Sequence, residues 1–342
     1  MDNLFLLSLL AAVLSFILTP IVKKVAFKTG VIDEPKGGRK IHKEPTPLMG
    51  GIAIYVSFIV MIFLKSSDVS EAEWGIIIGG FIIMVGGILD DKRDLKPYQK
   101  LLFQVAASLV LIAMGLRIGT LTNPFGDIVP FLNVGILSIP LTIIWVIGIT
   151  NALNLIDGLD GLAAGVALIS CLTILFIAIT KDRTGAALLT AILSGAIAGF
   201  LPYNFNPASI FLGDTGAQLL GFLLAAISIE GAIKSATVFS IVVPILTMGL
   251  PIFDTVFAII RRKINGKPIM QADRGHLHHR LMDMGLNQKQ AVLVMYFISA
   301  LLSVISIISI QLNSSASYYL LVSVVLVIVL ICWRLGFFKH RE

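Results

Sequence analysis

The sequence predicts an all-α polytopic integral membrane protein, on three observations. Apolar residues fill 57% of the 342 positions, and only 13% are charged, about half the share in a soluble domain. The apolar residues run in continuous stretches of membrane-helix length rather than in the ~10-residue alternating segments of a membrane barrel. The cations sit almost wholly in alternate loops between those stretches.

Eleven spans follow, at about 3–22, 48–65, 72–90, 98–116, 136–153, 160–180, 185–203, 215–231, 237–260, 289–312 and 317–335. Several are short or Gly-rich, so a count of ten also fits. The first run, from Leu4 to Leu18, has no basic residue before it and is followed by Lys23 and Lys24. That pattern reads as a retained span rather than a cleaved leader. The connection 117–135 holds Pro124, Gly126 and Pro130 and predicts a small turn or hairpin. The last spans flank a basic loop at 261–289. No repeat, low-complexity segment or separate soluble domain interrupts the chain, which reads as one catalytic domain over 1–342.

Placing the N-terminus outside puts 21 of the 26 Lys and Arg residues on the inner face and five on the outer. This asymmetry fixes the expected orientation. It also explains the net charge of +6 through topology and anionic lipid rather than nucleic acid. Cys171 and Cys332 each lie inside an apolar run and read as packing residues, with neither a disulfide framework nor a zinc site behind them.

With that orientation, nearly all the unusual acids and amides gather at the cytoplasmic ends of spans. Asp90, Asp91 and Asp94 close the third. Neighbouring carboxylates repel, so they call for cations, from Lys92, Arg93, Lys96 and Lys100 or from a divalent metal; ion pairing at a solvated helix end would explain them equally well. The run Asn151-Ala-Leu-Asn154-Leu-Ile-Asp157-Gly158-Leu-Asp160 closes the fifth span. Its spacing suits a helix end that folds into a loop and aims several oxygens inward. Carboxylates and amide carbonyls are hard donors that suit Mg²⁺, with Mn²⁺ as an alternative. Phe211-Leu-Gly-Asp214-Thr215 opens the eighth span, where Asp214 and Thr215 are expected to cap the helix.

Two basic loops share the same face. His276, His278 and His279 stand beside Arg274 and Arg280, a combination suited to phosphate or sugar hydroxyls. The segment from Arg39 to Gly51 carries His42 and Lys43, which could reach an anion, before a rigid Pro-Gly entry into the second span. Asp254 reads as a hydrogen-bonding residue that faces the bundle. A transporter of anions, the alternative from another class, would place charges at mid-span in two related halves; Asp254 is the main candidate for one.

These five motifs, in this order and on one side, resemble the polyprenyl-phosphate N-acetylhexosamine-1-phosphate transferases, of glycosyltransferase family 4 type, over almost the whole chain. The form His276-Leu-His278-His279 looks like the bacterial branch that uses UDP-GlcNAc for teichoic acid, O-antigen or related envelope glycans. The branch using UDP-MurNAc-pentapeptide is the closest alternative. The resemblance implies transfer of sugar 1-phosphate from a UDP-sugar to undecaprenyl phosphate in a bacterial plasma membrane, with release of UMP. It implies Asn151 and Asp214 as Mg²⁺ ligands and Asp90 and Asp91 as the acidic pair near the lipid phosphate. Lys100 would bind phosphates, Phe211 would stack on uracil, and Asp160 would sit near the base edge. Asn154, Asp157 and Lys43 fall within substrate-binding motifs. The loop from Arg274 to Arg280 would cover sugar and pyrophosphate. Relatives occur as homodimers, so the resemblance allows one here.

Overall fold

The computed structural model describes residues 3–34, 45–123, 131–233, 242–268, 275–312, 314–334 and 337. Lys43 and Arg274 therefore lie outside the described residues, as do His42 and the tip of the 117–135 connection.

Among the described residues, thirteen α-helices, a 3₁₀ turn at Gly135–Leu137 and two short strand pairs make up the fold. Helices α1 (Leu4–Thr29), α2 (Gly51–Leu64), α3 (Glu71–Arg93), α4 (Pro97–Ala113), α5 (Ser138–Ile156), α6 (Leu162–Thr180), α7 (Thr184–Asn204) and α8 (Gly213–Ile233) follow in order. Then come α9 (Val242–Thr247), α10 (Gly249–Ile264), α11 (Leu277–Asp283), α12 (Gln288–Ser309) and α13 (Ser314–Arg334). Seven helices among the described residues are long and apolar enough to cross a membrane. The chain is thus an all-α polytopic membrane protein.

Local chemistry sets the helix ends. Asn3 caps α1 by accepting from the Leu6 N–H, and Gly30 closes it in the left-handed conformation at φ 71°. Ser70 and Glu73 form a reciprocal capping box on α3, and a buried ion pair from Lys65 to Glu73 at 2.6 Å ties that box to the end of α2. Asn287 and Gln290 repeat the box on α12.

Packing centres on α8, whose residues from Leu219 through Ile227 are almost all fully buried. A helix apolar on every side belongs inside a bundle, and α3, α5, α2, α6 and α7 surround it. Glycines allow the closest crossings. A Cβ on Gly51 would lie 2.3 Å from the Gly216 Cα, and one on Gly87 would lie 2.4 Å from the Thr215 Cα. On the outside of the bundle, Gly195 and Gly199 lay one face of α7 against α1, where a Cβ on either would come within 2.0 Å of a carbonyl oxygen. Small residues four apart let membrane helices touch backbone to backbone.

Two elements differ from the sequence expectation. The ninth span is broken: α9 ends at Thr247 and α10 starts at Gly249, with Met248 between them. Pro251 has no N–H to give the Thr247 carbonyl, which accepts from Ser170 Oγ at 3.1 Å instead, and this accounts for the break. A short pairing absent from the expectation joins β1 (Ile32–Asp33) to β2 (Thr46–Pro47). The expected hairpin in 117–135 is present, as β3 (Thr120–Thr122) against β4 (Phe131–Asn133). Both cysteines are free and buried, as their apolar surroundings require.

Candidate active site

The C-terminal ends of α3 and α5, the α7–α8 connection and the start of α8 meet at one end of the bundle, around a polar cavity of about 830 Å³. Asp90, Asp91, Asn154, Asp157, Asp160, Phe211, Asp214 and His279 all line it. Residues more than a hundred positions apart converge there because α8 runs antiparallel to α3 and α5 and starts where they end.

Lys100, in the first turn of α4, bridges two of the acids. Its ammonium pairs with Asp90 and lies 3.3 Å from Asp214 Oδ2. Asn154 Nδ2 donates to Asp214 Oδ1 at 2.5 Å. Asp90 is 2% exposed, and so deep a carboxylate needs partners. Besides Lys100, it accepts from the Leu95 N–H at 2.9 Å and from Gln218 Nε2 at 3.4 Å.

Asp91 has a different post from its neighbour. Its two oxygens accept from the backbone N–H groups of Asp214 at 2.7 Å and Thr215 at 3.1 Å, and from Thr215 Oγ1 at 2.6 Å. A side chain of α3 thus caps α8. This corrects the expectation that Asp214 and Thr215 cap that helix; Thr215 donates to the cap instead. The reason is the tight Gly87–Thr215 crossing, which brings the end of α3 onto the unpaired N–H groups of α8.

Asn151, implied by the resemblance as a Mg²⁺ ligand, and Asn154, implied in substrate binding, part company. Asn154 faces the cavity. Asn151 donates to Gln104 Oε1 at 2.7 Å and to the Ile147 carbonyl at 2.8 Å, and Gln104 Nε2 in turn donates to Gln218 Oε1 at 3.1 Å. A chain of contacts therefore runs Asn151, Gln104, Gln218, Asp90, Lys100, Asp214, Asn154, starting and ending on α5. Three positions along a helix leave two side chains only about 60° apart in direction but about 4.5 Å apart along the axis, so Asn154, one turn nearer the helix end, reaches the cavity while Asn151 stays at the depth of Gln104.

Asp157 ends α5 inside this acidic crowd. Water reaches one side of it, but protein surrounds the rest. Burial, then the charges of Asp214, Asp91 and Asp160, push its carboxyl up to about 8. Asp160 accepts from Asn206 Nδ2 and from the Ala208 N–H, each at 3.0 Å, so it braces the α7–α8 connection. Phe211 is pinned by its backbone: its N–H donates to the Pro47 carbonyl at 2.9 Å, and its own carbonyl accepts from Gly50 at 3.0 Å.

The histidine segment divides its tasks. His279 alone of the three lines the cavity. His276 is buried, its Nδ1 2.7 Å from Asp254 Oδ2, and the Leu277 N–H reaches Asp254 Oδ1 at 2.9 Å. Asp254 is therefore an anchor for α11. His278 packs on Gly158, where a Cβ would come within 2.5 Å of its Nε2. Burial lowers its imidazole to about 3, so it stays neutral. Arg280 is buried as well; its Nε donates to the Gly275 carbonyl at 3.0 Å and its Nη2 to the Phe337 carbonyl at 2.9 Å.

Sequence reasoning passed over Gln104, Gln218, Asn204, Asn206 and Gln288. Amides inside apolar helices are costly, and that signal was available for Gln104 and Gln218. Asn204 lines the cavity and is 2% exposed, with Nδ2 on the Ile210 carbonyl at 3.0 Å and a buried Oδ1 that has no protein partner. Such an atom is an acceptor awaiting a donor.

The donor set suits a hard divalent cation. Asp157 and Asp214 present carboxylate oxygens; Asp157 is raised first by burial and then by neighbouring negative charge, and a cation would relieve the second. Among the described residues, no three His, Cys, Asp or Glu side chains gather closely enough to hold an ion by themselves. A cation held there would take its other ligands from water and substrate phosphates.

A membrane-embedded acidic cavity that offers an ammonium and hard oxygen donors defines a class: enzymes that handle phosphate esters at the lipid surface. The comparison with known proteins agrees. The family model described as glycosyl transferase family 4 matches residues 73–232. A Bacillus subtilis (strain 168) protein named as a probable undecaprenyl-phosphate N-acetylglucosaminyl 1-phosphate transferase is 42% identical over 304 residues, covering 89% of this chain and 83% of the relative. The decaprenyl-phosphate N-acetylglucosaminephosphotransferase of Mycolicibacterium smegmatis is 34% identical over 86% of this chain and 79% of its own length. A phospho-N-acetylmuramoyl-pentapeptide-transferase of Staphylococcus saprophyticus is 31% identical over 89% of this chain and 98% of its own. The chain belongs to glycosyl transferase family 4.

Proposed function

We propose that this protein transfers N-acetylglucosamine 1-phosphate from UDP-GlcNAc to undecaprenyl phosphate at the cytoplasmic face of a bacterial membrane. An oxygen of the lipid phosphate attacks the sugar-bearing phosphorus of the nucleotide. The new P–O bond makes the lipid diphosphate sugar, and the bond that breaks releases UMP with its electron pair. The observation that carries this reading is the set of Lys100, Asp90, Asp214, Asn154 and Asp157 at the mouth of one bundle. Two relatives, 42% and 34% identical and both named for N-acetylglucosamine phosphate transfer, favour that donor over the muramoyl-pentapeptide nucleotide.

Asp214 and Asp157 would hold Mg²⁺, which when bound neutralises phosphate charge during transfer. Asn154 fixes the Asp214 rotamer through its 2.5 Å hydrogen bond. Lys100 sits between two carboxylates, so its ammonium stays charged and can meet a phosphate oxygen without moving far. Phe211 offers a ring, and the unpartnered Asn204 Oδ1 an acceptor, to a base bearing an imide N–H. The lipid phosphate is already anionic at neutral pH, so direct attack needs no strong base. Asp91, occupied on α8, is a positioning residue in this scheme, and Asp90 holds Lys100.

The test is an assay of purified protein with radiolabelled UDP-GlcNAc, UDP-GalNAc and UDP-MurNAc-pentapeptide, with Mg²⁺ and with chelator. The expected result is UMP and a lipid-soluble labelled sugar from UDP-GlcNAc, in Mg²⁺ only. Exclusive use of either other nucleotide would overturn the donor assignment, and full activity in chelator the metal.

A further inference from the structure

Phe337 lies beyond α13, far from the cavity in sequence, yet it closes on the helix that carries the cavity-facing His279. Its N–H donates to the Cys332 carbonyl at 2.8 Å, making a turn at the end of α13. Its own carbonyl accepts from two buried arginines, Arg280 Nη2 at 2.9 Å and Arg261 Nη1 at 3.2 Å. Its ring lies under the Arg280 guanidinium, 4.2 Å from centroid to Cζ, and packs with Phe257 and Cys332. One residue thereby joins α13, the last turn of α10 and α11.

Leu277, Leu281 and Met282 pack α11 on the core, and polar contacts at two points set its orientation. Asp254 holds its first turn through His276 and Leu277. Arg280, one residue beyond His279, holds its other end, and Phe337 in turn orients Arg280. Successive residues on a helix diverge by about 100°, so with Arg280 locked on Phe337, His279 is turned toward the cavity. A guanidinium stacked on a ring and fixed by a carbonyl gives planar, directional restraint that an ammonium would not supply.

We propose that Phe337 is a positioning residue for nucleotide-sugar binding: its ring and carbonyl fix Arg280, and through it set His279 at the cavity wall. Arg280 then acts from behind the site rather than on the substrate. His279 faces substrate only if the cavity takes the nucleotide sugar, so this role for Phe337 rests on the transferase reading above.

The test uses the full-length purified protein and titrates each substrate separately. Phe337→Ala is expected to raise the KM for UDP-GlcNAc roughly tenfold, with kcat and the KM for undecaprenyl phosphate changed less than about twofold. Phe337→Tyr, which keeps the ring, restores the wild-type KM. His279→Ala and the double variant His279→Ala/Phe337→Ala are expected to share one KM, because the second change has nothing left to act through. If Phe337→Ala does not yield folded protein, Phe337→Leu keeps apolar volume without the ring and should show a rise in the same direction. An unchanged KM in the variant assayed, additive losses in the double variant, or equal losses for both substrates would overturn the proposal. Wild-type protein that fails to use UDP-GlcNAc would instead sink the transferase reading.

Discussion

Asp214 and Asp157 show how one residue type takes on different chemistry in one cavity. Asp214 has partners for both oxygens, an amide and an ammonium. Asp157 has neighbours of its own sign. Removing Asp214 leaves Lys100 without one counter-charge and takes away a hard oxygen donor. Asp214→Ala is expected to lower transfer at least ~100-fold while the protein still inserts and unfolds cooperatively; near-normal turnover would exclude it from the site. For Asp157 the consequence is a pH dependence. Its folded carboxyl is raised to about 8 from an ordinary 3.8, so between those values the native state binds the proton more tightly than the unfolded chain does. Native stability from this group is therefore present at low pH and lost as pH rises toward 8. In chelator, Asp157→Asn should remove that loss, gaining more thermal stability relative to wild type at pH 8 than at pH 5. A gain equal at both would show that Asp157 titrates normally.

At the scale of elements, caps and crossings decide where the site forms. Asp91 reaches from α3 to the first N–H groups of α8, a cap contributed by a separate helix. Asp91→Ala should destabilise the protein by about 1–2 kcal/mol, the range for losing a helix cap. Asp91→Asn, which still accepts, should cost less, as read from thermal unfolding in detergent. The α2–α8 contact offers a second test. A Cβ on Gly51 meets the backbone of Gly216, not the end of a mobile side chain, so Gly51→Ala must push the helices apart. A loss of about 1–3 kcal/mol is expected, with transfer lowered because Asp214 moves with α8. Wild-type stability and activity in Gly51→Ala would show that the crossing has slack.

For the whole molecule, the governing fact is that every cavity aspartate lies at the same end of the bundle. The sequence expectation makes that end cytoplasmic, from the placement of 21 of 26 cations. Single cysteines at Lys92, beside the cavity, and at Ser66, at the opposite end, should react with an impermeant thiol reagent from opposite sides of sealed vesicles. Labelling of both from one side would refute the topology.

Fold class, the run of apolar segments and the three acidic clusters were legible in the chain because each is a local pattern. Apolar runs continuous for about the thickness of a bilayer need no tertiary information to be recognised. The hairpin in 117–135 was legible from its prolines and glycine. The break at Met248 comes from Pro251, a local signal hidden within a run apolar enough to pass for one continuous span. Spacing could not reveal that Asn154 rather than Asn151 meets Asp214, that Asp91 caps a helix opened over a hundred residues later, or that Arg280 faces Phe337 instead of the cavity.

What the sequence determined by itself is therefore a membrane-spanning helical chain, with its acids and amides held at span ends, where water and charged partners can offset the cost of desolvation. Tertiary structure alone decided which of those groups serve each other. That depends on how closely α3, α5 and α8 approach, and the approach is set by side chains missing at Gly51, Gly87 and Gly216. Such contacts join residues far apart in the chain, and no local pattern encodes the distance between two helices.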